Sequence, residues 1–123
     1  MEVTEIIYGK NEIIFVYHNI FISNRVRILN GMIYVLAYEL KGGKDISIDL
    51  KSLLRDIDIF EANIYRRLNN AKAKDENIKE NTVTFYRAIA DNFRKKHKIL
   101  AKIFSGGEKE IPQILLTPIK IFN

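Results

Sequence analysis

Apolar residues gather in two tight clusters near the start of the chain and then recur at helical spacing. This pattern predicts a β-hairpin followed by a series of helices. Val3 to Tyr8 and Glu12 to Tyr17 read as strands around a Gly9-Lys10-Asn11 turn. Alternation within them is broken, because Ile6-Ile7 and Ile13-Ile14-Phe15-Val16 run without a polar residue. Both faces of the hairpin are therefore expected to be covered, one by the core and one by a partner. Ser23 or Asn24 is placed to cap a helix that carries Val26, Leu29, Met32, Ile33, Leu36 and Leu40 to about Lys41. Gly42-Gly43 supplies its stop.

After a short extended segment, Ile46-Ser47-Ile48, Asp49 is expected to cap a brief helix from Leu50 to Asp56 that buries Leu50, Leu53 and Leu54. Asp58 with Glu61 three residues later forms a pattern resembling a capping box, which predicts a turn at residues 57–59 and a new helix over 59–74. That helix would bury Ile64, Tyr65 and Leu68, and present Asn63, Arg66, Arg67, Asn70 and Lys74 on its other side. Residues 75–81 read as a polar connector. Thr82 then starts a helix with Phe85, Tyr86, Ile89, Ala90 and Phe93 along one stripe. Its extent is open in the sequence. It either reaches Phe104 and stops at Gly106-Gly107, or ends near Lys98. In the second case residues 99–104 form a strand that returns as Gln113 to Phe122, with Pro118 at an edge position.

Length and composition place limits on this picture. The 123 residues suffice for one core, so a single domain over residues 1–123 is expected. The longest uncharged run, Ile13 to Asn24, includes His18, Asn19, Ser23 and Asn24. It falls short of the roughly 20 apolar residues that a membrane span needs. The opening residues lack the pattern of a secretion signal, and the cytoplasm is the expected compartment. Cysteine is absent, which excludes disulfides and thiolate metal sites. His18 and His97 are far apart and have no companions at metal-ligand spacing, so neither metal, cofactor nor catalysis is expected.

Charge changes the picture further. The net charge of +5 is unevenly spread: residues 1–61 carry a balance of −2, and residues 62–123 one of +7. Such asymmetry points to a polyanion-facing surface in the second half of the chain. The densest basic cluster is Arg94-Lys95-Lys96-His97-Lys98. Arg94, Lys95, Lys96 and Lys98 are candidates for a phosphate clamp. Asn63, Arg66, Arg67, Asn70 and Lys74 are candidates for groove insertion, since Arg pairs with guanine and Asn with adenine in a bidentate fashion. Arg25 and Arg27 open the first helix and are expected to lie on the surface, with contact to backbone phosphates as the alternative. Ser105-Gly106-Gly107-Glu108-Lys109 lacks the spacing of a phosphate-cradling loop.

A brief helix, a turn and a second helix bearing Asn63, Arg66 and Arg67 resemble a helix-turn-helix. The order helix, short strand, helix, helix and candidate C-terminal hairpin is similar to the winged-helix variant of that family. The resemblance is densest over residues 49–74. There Ile57 and Ile59 stand at the apolar turn positions, and Ile64 and Leu68 where the recognition helix is buried. It implies an α+β, winged-helix-like domain with an N-terminal hairpin and an additional helix. It further implies a non-enzymatic transcriptional regulator that binds double-stranded DNA as a homodimer, with helix 59–74 in the major groove. The dimer contact would come from the aromatic stripe of residues 82–98 or from the hairpin. The alternative is a small protein-interaction module or inhibitor, or an RNA-binding subunit of a ribonucleoprotein, which the unbroken apolar hairpin favours.

Overall fold

The computed structural model describes residues 3–9, 12–17, 20–75, 77–107 and 110–122. The chain is α+β. Its elements are β1 (Val3–Tyr8), β2 (Ile13–Tyr17), α1 (Ile20–Gly42), α2 (Leu50–Ala73), α3 (Glu80–Phe104), a 3-10 turn (Gln113–Leu116) and β3 (Lys120–Phe122). β2 is the middle strand of the sheet. It pairs antiparallel with β1, with Ile6 opposite Phe15, and parallel with β3, with Phe15 opposite Ile121. The predicted hairpin is therefore present, although Lys10 and Asn11 of its turn lie outside the described residues. Gly9 donates its backbone N–H to the Glu12 carbonyl at 2.8 Å to begin the reversal.

Three helices and the inner face of the sheet share one core. Each helix contributes a stripe at i, i+3, i+4 spacing: Val26, Leu29, Ile33 and Leu36 from α1; Leu53, Ile57, Phe60 and Ile64 from α2; Phe85, Ile89, Phe93 and Leu100 from α3. Phe85 meets Phe15 of the sheet edge-on at 4.9 Å, and Phe93 meets Phe60 of α2 edge-on at 5.6 Å. Polar clasps fix the periphery of this core. Val3 donates its N–H to Thr82 Oγ1, Asn81 Nδ2 donates to the Val3 carbonyl, and Asn30 Nδ2 donates to the Ile119 carbonyl at 2.6 Å. Ile7, on the face of the sheet opposite Phe15, stays exposed, as do Tyr8 and Ile13 beside the hairpin turn. By length and composition α1 would also suit a membrane span, but seven of its residues are buried in this core.

Several expected boundaries move, each for a physical reason. α1 begins at Ile20 and buries Ser23, so neither Ser23 nor Asn24 caps it; Ile22 extends the apolar stripe one turn earlier. Residues 46–48 form no strand. Ser47 donates both its N–H and its hydroxyl to the Glu39 carboxylate. Asp49 does cap the next helix, accepting from Lys51 N–H and from Ser52 Oγ. That helix does not stop at Asp56. Leu50 to Ala73 is one uninterrupted helix, and the turn expected at 57–59 is helical. Ile57 and Phe60 both belong to its buried stripe, and no Gly or Pro lies within it. Asp58 faces His97 of α3 instead of capping anything.

α3 starts at Glu80 rather than Thr82 and runs through 99–104, so the strand alternative for those residues is not taken. Leu100 continues the buried stripe, while Ile99 and Ile103 pack against the core. The helix ends where Gly106, at φ +80°, donates to the Ile103 carbonyl and Gly107 donates to the Lys102 carbonyl. This pair of bonds is a Schellman motif. No wing hairpin follows among the described residues. Residues 113–116 are a 3-10 turn, and β3 joins the N-terminal sheet instead of pairing with 99–104. Glu108 and Lys109 lie outside the described residues.

Candidate nucleic-acid interface

Four cations and no carboxylates occupy residues 62–74: Arg66, Arg67, Lys72 and Lys74. In a helix of 3.6-residue period, Asn63, Arg66, Arg67, Asn70 and Lys74 fall on one flank of α2. This is the side turned toward α1, because Asn63, Arg66 and Arg67 line a cleft whose other wall is Phe21, Arg25 and Ile28. Arg66, Arg67, Asn70 and Lys74 are exposed, and Asn63 is half-buried. Arg66 Nη2 donates to Asn63 Oδ1 at 2.9 Å, which lays the guanidinium along the helix. Arg67 packs over the Phe21 ring at 5.7 Å from its centroid, and also donates to the Tyr86 hydroxyl. Burial is the main reason that the Tyr86 hydroxyl titrates above its ordinary range, and the Arg67 charge partly offsets it. Among the described residues, no carboxylate lies within ion-pair distance of Arg25, Arg66 or Arg67.

The 94–98 cluster does not join this surface. Lys96 is 1% exposed, its ammonium donating to the Thr117 carbonyl at 3.1 Å and lying 5.6 Å from the Phe93 ring centroid. It is a core residue, not part of a phosphate clamp. Burial pushes its pKa down to about 8. Arg94 is claimed by α2: its Nε donates to Glu61 at 3.0 Å, it also bonds the Tyr65 hydroxyl, and Asp91 lies 3.6 Å away. The Glu61 hydrogen bond and charge hold Arg94 protonated even above its usual range. His97 sits 3.5 Å from Asp58. A seam of Asp58, Glu61 and Asp91 thus lies between the α2 cations and the outer face of α3. Only Lys95 and Lys98 of the cluster stay exposed, beyond that seam.

Sequence reasoning placed Arg25 on the surface, with contact to backbone phosphates as the alternative. The structure sets it beside the α2 flank, 5.5 Å from the same Phe21 ring that Arg67 covers. The Phe21–Arg25 spacing of four was the available signal, since it puts both on one helix face. The aromatic stripe of 82–98 is also reassigned. Phe85, Tyr86 and Phe93 are buried in the chain's own core, so they offer no dimer contact. Among the described residues, the longest row of exposed large apolar side chains lies instead along α1: Ile20, Phe21, Ile28, Tyr34, Val35 and Tyr38. His18 lies outside the described residues, and no group of three potential metal ligands occurs among those described.

Comparison with protein-family models, with curated proteins and with solved structures finds no match to this chain.

Proposed function

We propose that this domain binds double-stranded DNA without catalysing a reaction, laying the basic flank of α2 in a major groove as a transcriptional regulator. One observation carries the reading: adjacent guanidiniums at 66 and 67 stand at the surface of a long helix with no carboxylate of the described residues within ion-pair distance. A helix fits the width of the major groove, where Arg and Asn have bidentate partners on guanine and adenine. Asn63, Arg66, Arg67 and Asn70 are the base-reading candidates, with Lys74 and Arg25 reaching phosphates. α2 takes the place that the second helix has in helix-turn-helix proteins, without the turn before it. Lys96 and Arg94 are withdrawn from the interface. Lys95 and Lys98 remain only as distant attractors of phosphate.

The test is fluorescence anisotropy on duplexes selected from a random pool, with a salt series. Arg66→Ala with Arg67→Ala should weaken binding by about 100-fold, as two charged contacts are lost. The loss should be larger on the selected duplex than on random duplex, as expected when base contacts are removed. Lys95→Gln with Lys98→Gln should change affinity by less than about threefold, because screened charges away from the groove contribute little. Duplex RNA should bind more weakly, since its deep, narrow major groove excludes a helix. Equal losses from the two double variants would remove base reading by α2, and absence of any retained duplex at low salt would remove DNA binding.

A second reading is favoured by the apolar row on α1. A protein-interaction module needs such a face, and Ile20, Phe21, Ile28, Tyr34, Val35 and Tyr38 supply one. Under the DNA reading the same row is where a second copy would pair to form a dimer. Sedimentation with and without duplex separates the two: a dimer that binds DNA supports the first, and a monomer that binds no DNA supports the second.

A further inference from the structure

The cleft between α1 and α2 has features that a flat DNA-binding ridge does not require. It encloses about 380 Å³. This lies within the range of small-molecule sites, roughly 300–1,000 Å³. Its floor is the buried side of Ile22, Leu29, Phe60 and Ile64, and its apolar rim is Ile28 and Ile59. At one end Arg25 and Arg67 stack on a single ring, that of Phe21, which is itself 57% exposed. Two like charges on one ring, with no carboxylate of the described residues within ion-pair distance, leave a local positive field. Arg67 is moreover held in place by the Tyr86 hydroxyl, so little freedom is lost when it binds an anion. Asp56 marks the other end of the cleft, eleven residues earlier on α2.

We infer that this cleft binds a small amphipathic anion, with its carboxylate, sulfonate or phosphate between Arg25 and Arg67 and its aromatic or aliphatic body along Ile28, Ile59 and Phe60. The end charges set a polarity. Asp56 repels a second anionic group, so the class is organic molecules with a single anionic head and an apolar tail, not dicarboxylates. Arg66 and Arg67 belong to both surfaces, so an occupied cleft competes with duplex. That coupling rests on the DNA reading, whereas the site itself does not.

A titration without DNA tests the site. The fluorescent anion 8-anilinonaphthalene-1-sulfonate should bind with one-to-one stoichiometry, and the uncharged N-phenyl-1-naphthylamine should bind more weakly. Arg25→Gln with Arg67→Gln should weaken the anion by at least about tenfold, as two charge-assisted hydrogen bonds are lost. It should leave the naphthylamine unchanged. Lys95→Gln with Lys98→Gln, on the far side of the acidic seam, should alter neither. Ile28→Glu provides a second variant that need not disturb folding, because Ile28 is exposed at the rim. It should abolish anion binding while circular dichroism stays that of the parent. Anion affinity that survives Ile28→Glu, or that is indifferent to the arginines, would overturn the site. So would equal affinity for the charged and uncharged dyes. If the dye binds as expected but no duplex ever does, the cleft stands and only the DNA reading falls.

Discussion

Lys96→Met will raise the unfolding free energy at pH 7 by about 2 kcal/mol, visible as a rise of roughly 8 °C in the thermal midpoint. The physical cause is the burial of an ammonium that has one carbonyl and one ring face in place of water. Its pKa falls from 10.5 to about 8. The unfolded chain therefore binds one more proton than the folded chain between those values. At pH 7 both forms are protonated and the full penalty is present. As pH rises from 8 to about 10, the folded state sheds the proton first and stability increases, by up to about 3 kcal/mol in all. Methionine removes the charge but leaves the Thr117 carbonyl without its donor, which offsets about 1 kcal/mol of the gain. The two proteins should thus differ most below pH 8 and converge near pH 10. Tyr86 titrates alike in both, so the difference isolates Lys96. Chemical denaturation at pH 7, 9 and 10 checks this. A destabilised Lys96→Met, or a difference independent of pH, would show that the ammonium is not buried as described. Duplex affinity should be unchanged, since Lys96 touches no surface.

Lys96 also illustrates where sequence reading stops. Arg94-Lys95-Lys96-His97-Lys98 is the densest run of basic residues in the chain, and composition alone reads it as one exposed patch. Helical period divides it. Position 96 follows Phe93 by three and Ile89 by seven, so it falls on the stripe that faces the core, while 95 and 98 face outward. The period was visible; what was not visible was a carbonyl at Thr117, twenty-one residues later, able to take the ammonium. The hairpin and the Asp49 cap were legible because each depends on local chemistry, whereas the stop at Gly106-Gly107 was one of two open alternatives. The parallel pairing of β2 with β3 was not, because it joins residues separated by the whole helical region. Of the candidate interface, Arg66 and Arg67 were readable as an exposed pair. The cleft was not, since half of it comes from α1, and no local pattern announces a groove between two helices.

The clearest error of sequence reasoning lies at residues 57–59, and a single substitution probes it. Asp58→Pro will destabilise the fold by about 3 kcal/mol or more, a large part of the roughly 5–15 kcal/mol available to a domain of this kind. In the middle of α2 a proline removes the hydrogen bond from residue 58 to the Leu54 carbonyl and drives its ring into that same carbonyl. Were 57–59 a turn leading into a new helix, proline would be welcome near the first helical position. Ile57 before it would sit comfortably in extended backbone. Asp58→Ala is the control, because it removes the contact with His97 but keeps the helix. With the Asp58 side chain 66% exposed, that loss should cost less than about 1 kcal/mol. A tolerated proline would restore the two-helix arrangement, and with it the turn that the Asp58–Glu61 pattern suggests. A severe loss against a mild alanine would bind both candidate surfaces to one rigid rod. Only a continuous α2 keeps Asp56 and Ile59, at one end of the cleft, in fixed register with Arg66 and Arg67 at the other.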